Sequence, residues 1–282
     1  MEIQVNSTTS YEAKWQEGMK DWEGKLPKRM IDDHREEVFW QRLIKERENQ
    51  EVPDPYAKEI FNEITHLFTS KDDILEIGPG WGNYTFSVAE KVKQLTVVDS
   101  SQAILEYLQD ALSKRDLNNV NYLHEKWEHV KLERNYDVIF GVNCFYRMYE
   151  IKKALSLIHQ HADRLAVIGM TTGPIQPHYL KLHEQYGYDI KFPRRDYIDL
   201  LHVLYELGIY ADCKMIPLVR TYEYSSYEEL IRANSSKILS NEYKHADVEE
   251  SLSDLIQFKD DKYIYEHSFH AAIISWKPNS ES

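Results

Sequence analysis

The sequence predicts an α/β protein built on a doubly wound, seven-stranded and mostly parallel sheet, with an N-terminal helical extension and a helical insertion near the C-terminus. Three observations carry this prediction. Apolar runs of strand length alternate with segments of helical periodicity from Ile74 to Met170, a glycine-rich turn follows the first of those runs, and the alternation stops after Thr171. Strands that alternate with helices are joined by crossovers, which build a parallel sheet with helices on both faces.

From Tyr11 to Gln50 the chain is charged and aromatic. Trp15, Met19 and Trp22 stand at helical spacing, and Val38, Phe39, Arg42 and Leu43 form a second set, so one or two helices are expected. The stretch "ENQEVPDPY", with Pro53 and Pro55, breaks helix and separates an N-terminal cap, residues 1–52, from a core at 53–282. Ile60, Ile64 and Leu67 again recur as on a helix. Then "DILEIG" reads as a strand, Tyr84 to Val92 as a helix, "QLTVVD" as a strand and Ala103 to Ser113 as a helix. "NVNYLHE" and "YDVIFGVN" follow as strands, Ile151 to His161 as a helix and "RLAVIGM" as the fifth strand. Beyond it, Asp196 to Leu207 reads as a helix, "ADCKMIPLVRTYEY" as a long strand, Tyr227 to Leu239 as a helix and "SFHAAIISWK" as the last strand. The segments 171–195 and 225–262 are insertions on the substrate side. No internal repeat or low-complexity tract interrupts the chain.

Composition narrows the function. A chain of 282 residues can bury a core large enough for an enzyme. Its 34 basic against 47 acidic residues give a net charge of -13, which opposes any broad phosphate-tracking surface and disfavours nucleic acid as a partner. Cys144 and Cys213 sit in no disulfide framework or metal-ligand array, so a reducing cytoplasm fits best. The N-terminus has neither a basic start nor an apolar block, and no run of about 18 apolar residues indicates a membrane span. Oligomeric state is not readable.

The glycine turn carries the most information. A bare backbone after the first strand lets a ligand approach closely, and the following helix offers it free N–H groups. The stretch "ILEIGPGWGNYTF" places Gly78, Gly80 and Gly82 at alternate positions behind Glu76; a dinucleotide fingerprint would need its third small residue where Asn83 stands. The Lys-Ser/Thr pair of a phosphate loop is also missing. At the end of the second strand, Asp99 is placed to accept hydrogen bonds from both hydroxyls of a ribose. Together the turn and the acid imply an adenosine-containing cofactor.

These residues resemble the class I S-adenosylmethionine-dependent methyltransferases, whose first motif reads E/D-x-G-x-G-x-G. "EIGPGWG" matches it and Asp99 matches the ribose-binding acid, over a resemblance running from about Pro53 to Met170. The resemblance implies S-adenosyl-L-methionine as cofactor, S-adenosyl-L-homocysteine as product and a Rossmann-like fold. It implies that Gly78, Gly80 and Gly82 line the methionine and ribose portion, and that Glu76 lies near the methionyl ammonium or orders the loop. Asp99 would hold the ribose. Tyr84, Ser100, Trp127 and Asn143 complete the expected cofactor set, with Glu125 and Glu128 as further candidates beside the adenine.

Acceptor-side residues belong after the fourth and fifth strands, since ligands of open α/β sheets bind at the strands' carboxyl ends. Asn143 and Tyr146 frame "NCFY", where the amino-directed methyltransferases have N-P-P-Y; Cys144 and Phe145 replace both prolines and exclude that subclass. Tyr146, Arg147 and His178 are the candidate catalytic or substrate residues, Arg147 because an arginine beside a sulfonium needs an acid or an anionic substrate as partner. His178 and His183 are not spaced as metal ligands on one helix face, and no metal site is expected. Tyr11, Trp15, Trp22, Phe39 and Trp40 either form a lid over the pocket or staple the N-terminal helices down. The expected reaction is methyl transfer to a small molecule in a partly enclosed pocket. An RNA or protein methyltransferase, an enzyme using the cofactor as a non-methyl donor, and a non-catalytic cofactor-binding subunit are the alternatives.

Overall fold

A computed structural model describes residues 10–21, 23–46 and 52–278; Trp22 lies outside them. In chain order the elements are α1 (Tyr11–Met19), α2 (Lys28–Ile31), α3 (Asp33–Glu46), α4 (Pro55–Ile64), β1 (Asp73–Ile77), α5 (Thr85–Ala89), β2 (Gln94–Asp99), α6 (Gln102–Ser113), β3 (Val120–His124) and β4 (Tyr136–Val142). They continue with α7 (Ile151–His161), β5 (Ala162–Thr172), α8 (Pro177–Tyr186), α9 (Tyr197–Glu206), β6 (Asp212–Tyr224), α10 (Tyr227–Asn234), α11 (His245–Leu252), β7 (Ile256–Lys259) and β8 (Lys262–Trp276).

The strands form one sheet in the order β3-β2-β1-β4-β5-β8-β6, with β7 paired to β8. The pairings β1–β2, β1–β4, β2–β3 and β4–β5 are parallel. The apolar runs of β1, β2 and β4 are buried on both faces, which is why they read as continuous rather than alternating. β3, at the edge, has no fully buried residue. The strand order reverses at β1, so a crevice opens at the carboxyl ends of β1 and β4.

The chain packs into two compact units. The first holds the described residues up to Met170, Arg195–Ile216 and those from Ala272 onward; the second holds Thr171–Arg194 and Pro217–Ala271. In the first, α7 and α9 cover one face of the sheet with Ile151, Leu155, Ile158, Leu200 and Leu204. Trp15 and Met19 of α1 lie in the same core, 0% and 2% exposed, and the Trp15 indole N–H donates to the carbonyl of Met148 at 2.8 Å. α1 is therefore stapled to the domain. By contrast, α3 buries no residue. The second unit has its own core of Tyr179, Leu182, Ile190, Tyr224, Leu230, Val248, Leu252 and Tyr265.

Three elements differ from the sequence reading. The 171–195 segment contains a helix, α8, with Pro177 in its first turn and Gly187 as a left-handed cap at φ 72°. The late insertion is two helices rather than one, because α10 ends where the Asn234 side chain donates to the carbonyl of Leu230 and the Ser235 hydroxyl to that of Ile231. The eighth strand, β7, pairs antiparallel with β8 through a two-residue turn at Asp260 and Asp261, both at positive φ. Two aspartates stand where a glycine would have marked that turn. Among the described residues no helix is long and apolar enough to cross a membrane.

The contrast between α1 and α3 is testable by chemical denaturation. Trp15→Ala should cost about 3–5 kcal/mol, as for a fully buried tryptophan, whereas Val38→Ala on the exposed side of α3 should stay within about 0.5 kcal/mol of wild type. Equal effects would mean that α1 is not anchored by its tryptophan.

Candidate active site

The carboxyl ends of β1 to β4 bring four short segments together. β1 runs into the glycine turn, β2 ends on Asp99, β3 leads to Glu125–Glu128, and β4 leads to Asn143–Arg147. The amide of Gly78 donates to the carbonyl of Val98 at 2.9 Å, extending the β1–β2 ladder by one residue. Gly78 has φ +60°, and a Cβ there would lie 2.5 Å from the Cβ of Cys144. Only glycine satisfies both conditions. At Gly80, φ is +54° and the nearest atom to an added Cβ is the Trp40 ring at 3.9 Å, so the backbone of the turn is left accessible.

Glu76 is 1% exposed and its Oε2 has no hydrogen-bond partner; the Tyr84 hydroxyl and Thr85 Oγ1 are likewise buried and unpartnered. Burial pushes the Glu76 carboxyl up to about 8, with the charge of Asp99 adding to the rise and the Thr85 hydroxyl opposing it. Asp99 is 8% exposed and accepts from the amide of Ser101 at 2.9 Å. Burial raises it to about 6, against the backbone donors of Ser101 and Gly80, while Glu36 and Glu37 raise it further. Unpaired buried acceptors are costly and call for a donor.

A cavity of about 420 Å³ opens beside the turn, with Gly78, Asp99, Ser100, Trp127, Asn143, Tyr146 and Arg147 in its wall. With Glu125 and Glu128, which also line it, nine of the expected residues are thereby gathered. Glu76, Gly80, Gly82 and Tyr84 are not in that wall. Trp127 is 3% exposed and donates its indole N–H to the carbonyl of Ala154 at 2.9 Å, which fixes the ring. Asn143 adopts φ +58° and donates its amide to the carbonyl of Gly169 at 2.8 Å. Cys144 is a neutral thiol, since burial, with Asp99 and Glu76 nearby, pushes its pKa well up. Tyr146 leaves 41% of its surface exposed, and burial of the remainder raises its phenol.

His178 belongs to the second unit, where it is 0% exposed between Tyr179 and Tyr265, with ring centroids 4.0 and 5.5 Å away. Neither ring nitrogen has a hydrogen-bond partner, and burial lowers its pKa to about 3. It is a neutral core imidazole. Among the described residues no three His, Cys, Asp or Glu side chains gather as metal ligands.

The N-terminal helices complete the cavity wall with residues that sequence reading did not assign to the site. Arg29, Asp33 and Glu36 line it. Glu36 accepts two hydrogen bonds from Arg29, at 2.7 and 3.0 Å, one from the Trp40 indole at 2.8 Å, and an ion pair from Arg147. Glu37 accepts from the amide of Ala103 at 2.9 Å, at the start of α6. Trp40 packs edge-on against Trp81 of the glycine turn at 5.8 Å. The Glu36–Trp40 spacing of one helical turn was the single signal available in the sequence for this arrangement. Asn83 is also used: it exchanges hydrogen bonds with Asp54, 2.9 Å to its amide and 3.1 Å to its carboxylate, tying α4 to the turn.

Comparison with known proteins agrees with this topology. Residues 74–165 match the family model described as a methyltransferase domain. A methyltransferase-like structure from Bacillus halodurans C-125 is 11% identical, with a TM-score of 0.54 over 77% of this chain and 98% of that one. The YcgJ protein of Bacillus subtilis is 11% identical, with a TM-score of 0.53 over 78% of this chain and 97% of that one. At such identities the two structures establish the fold. No curated protein sequence matches the chain.

The buried acids make a pH prediction. A carboxyl whose pKa is higher in the folded chain than in the unfolded one stabilises the fold below its unfolded value, and loses that contribution as pH rises through its folded value. For Glu76 this window runs from 4.5 to about 8. The melting temperature of the ligand-free protein should therefore fall between about pH 5 and pH 8.5. Glu76→Gln should flatten that fall and melt higher than wild type at the alkaline end. An unaltered slope in the variant would show that Glu76 is not held protonated.

Proposed function

We infer that this chain, whose residues 74–165 match a methyltransferase-domain model, is an S-adenosylmethionine-dependent methyltransferase that transfers a methyl group to a small molecule held in the cavity beside the glycine turn. The observation that carries the reading is the conjunction of an open, positive-φ glycine turn with two buried carboxyls, Glu76 and Asp99, at the ends of adjacent strands.

The residues present fit the cofactor. The turn at Gly78 and Gly80 presents backbone without side chains, Asp99 sits where a ribose diol would be held, and the unpartnered Glu76 Oε2 suits an ammonium donor. When bound, S-adenosylmethionine supplies a methyl carbon on a sulfonium, which an acceptor lone pair displaces in line, the carbon–sulfur bond breaking toward sulfur. The chain's own contribution is to position and to exclude water. Gly78 and Cys144 close the floor by direct backbone-to-side-chain contact, Trp127 forms a fixed wall, and α3 with Trp40 covers the turn. Tyr146 and Arg147, on the loop after β4, belong to the acceptor side. With its phenol raised by burial, Tyr146 acts as a neutral hydrogen-bonding and packing group rather than as a base.

The cavity of about 420 Å³ is lined both by the residues given to the cofactor and by Tyr146 and Arg147, so cofactor and acceptor share it, which favours a small acceptor over a polymer. The net charge of -13 disfavours a polyanionic polymer.

Asp99→Ala should weaken S-adenosylhomocysteine binding by about 1.5–3 kcal/mol, the range for hydrogen bonds to a charged group. Unchanged affinity in a variant with a native circular dichroism spectrum would remove Asp99 from the site. Activity is read by mass spectrometry of a small-molecule acceptor panel: a product heavier by one methylene equivalent supports methyl transfer, and a heavier adduct from another part of the cofactor contradicts it.

A further inference from the structure

Arg147 and Arg29 converge on one carboxylate. Arg29 donates to Glu36 through Nε and Nη2 at 2.7 and 3.0 Å, and Arg147 pairs with the same carboxylate through Nη1. The second amino group of Arg147 donates to the backbone carbonyl of Arg29 at 2.6 Å. Glu36 also takes the Trp40 indole, so its oxygens are saturated. Two guanidinium charges against one carboxylate leave one positive charge over. Among the described residues no other acid pairs with either arginine: of the other acids in the cavity wall, Asp33 pairs with Lys126 at 2.5 Å and Glu150 with His129 and Lys153, while Asp99, Glu125 and Glu128 form no ion pair with Arg29 or Arg147.

This surplus lies in the cavity. Arg29, Glu36, Tyr146 and Arg147 all line it, and the Arg147 and Arg29 side chains keep 23% and 35% of their surface open. The turn that carries Tyr146 and Arg147 is held by Arg195, which donates to the carbonyl of Tyr146 and lies over the Trp15 ring at 5.3 Å. A third arginine therefore fixes the placement of the second. On the outer side, Arg29 stacks on Phe39 at 3.2 Å and shares an open groove with Lys28, Arg35 and Arg42. The positive surplus is confined to the Arg29–Glu36–Arg147 cluster, since Arg35 and Arg42 pair with Asp32 and Glu46 and the rest of the cavity wall carries Asp99, Glu125, Glu128 and Glu150.

We propose that Arg147 and Arg29 form an oxyanion subsite, so that the methyl acceptor is a small molecule bearing a carboxylate or a phosphate. The proposal rests on the methyltransferase reading of the same cavity. The planar forks of two arginines fit a two-oxygen group, and the shared Glu36 holds them in place while leaving them jointly cationic. An anion seated there completes the charge balance with its reactive end beside Tyr146.

The test uses the full chain saturated with S-adenosylhomocysteine. Benzoate, inorganic phosphate and, as the neutral counterpart, benzamide are titrated by calorimetry. One of the two anions should bind saturably, one per chain and more weakly at high salt, and benzamide should not; which anion binds separates a carboxylate acceptor from a phosphorylated one. Arg147→Gln should weaken that anion at least tenfold and leave S-adenosylhomocysteine affinity within about twofold. Arg147→Lys, which keeps the charge and the ion pair with Glu36, should fall between, and it serves if the glutamine variant does not fold.

Absence of anion binding to the wild type, or equal anion affinity in Arg147→Gln, would overturn the proposal. So would a matching loss of S-adenosylhomocysteine affinity in that variant, because the arginine would then serve the cofactor's own carboxylate. Should S-adenosylhomocysteine not bind the wild type at all, the cofactor reading fails instead. The anion titration on the protein alone is then still predicted to show the Arg147-dependent site.

Discussion

The site depends on one close approach: the backbone of Gly78 against the side chain of Cys144, at a distance where even a methyl group would meet the Cys144 Cβ at 2.5 Å. Parallel pairing of β1 with both β2 and β4 sets this approach, because it carries three strand ends to the same level of the sheet. From there the remaining geometry follows. The glycine turn must leave β1 at positive φ, Asp99 arrives one strand over, and the loop after β4 is directed around Cys144 so that Tyr146 and Arg147 face the cavity. The consequence is electrostatic as well as steric, since Glu76 and Asp99 are buried near each other and each raises the cost of the other's charge.

Much of this was legible in the residues. The strands β1, β2 and β4 announce themselves as apolar runs because a parallel sheet covered on both faces leaves no solvent side to mark by alternation. The glycines and Asp99 were legible for a different reason, that few side chains tolerate those backbone positions or that strand end. What was not legible depends on long-range pairing. Nothing in "KRMIDDHREEVFWQR" tells that Glu36 will meet Arg147, 111 positions away by their numbers, or that Glu37 will cap α6. The two-residue turn before β8 escaped notice because Asp260 and Asp261 adopt positive φ without a glycine. His178 read as a candidate catalytic or substrate residue in the 171–195 insertion; once Pro177 and Gly187 bound a helix there, its place on the buried face beside Tyr179 followed.

The N-terminal helices illustrate how two neighbouring segments are held by different forces. α1 is anchored by burial of Trp15 and Met19, a term that salt leaves largely untouched. α3 meets the site through Glu36, Glu37, Asp33 and the Trp40–Trp81 contact, with no buried residue of its own. Of the aromatic residues, Trp15 staples α1 to the core, and Trp40 of α3 packs edge-on against Trp81 of the glycine turn.

The central claim is that the glycine turn and its two buried carboxyls are a cofactor site for S-adenosylmethionine. Calorimetric titration of S-adenosylmethionine and S-adenosylhomocysteine into the purified protein tests it most directly. The account predicts saturable one-to-one binding of both; binding of neither, by a protein that melts cooperatively, would contradict it.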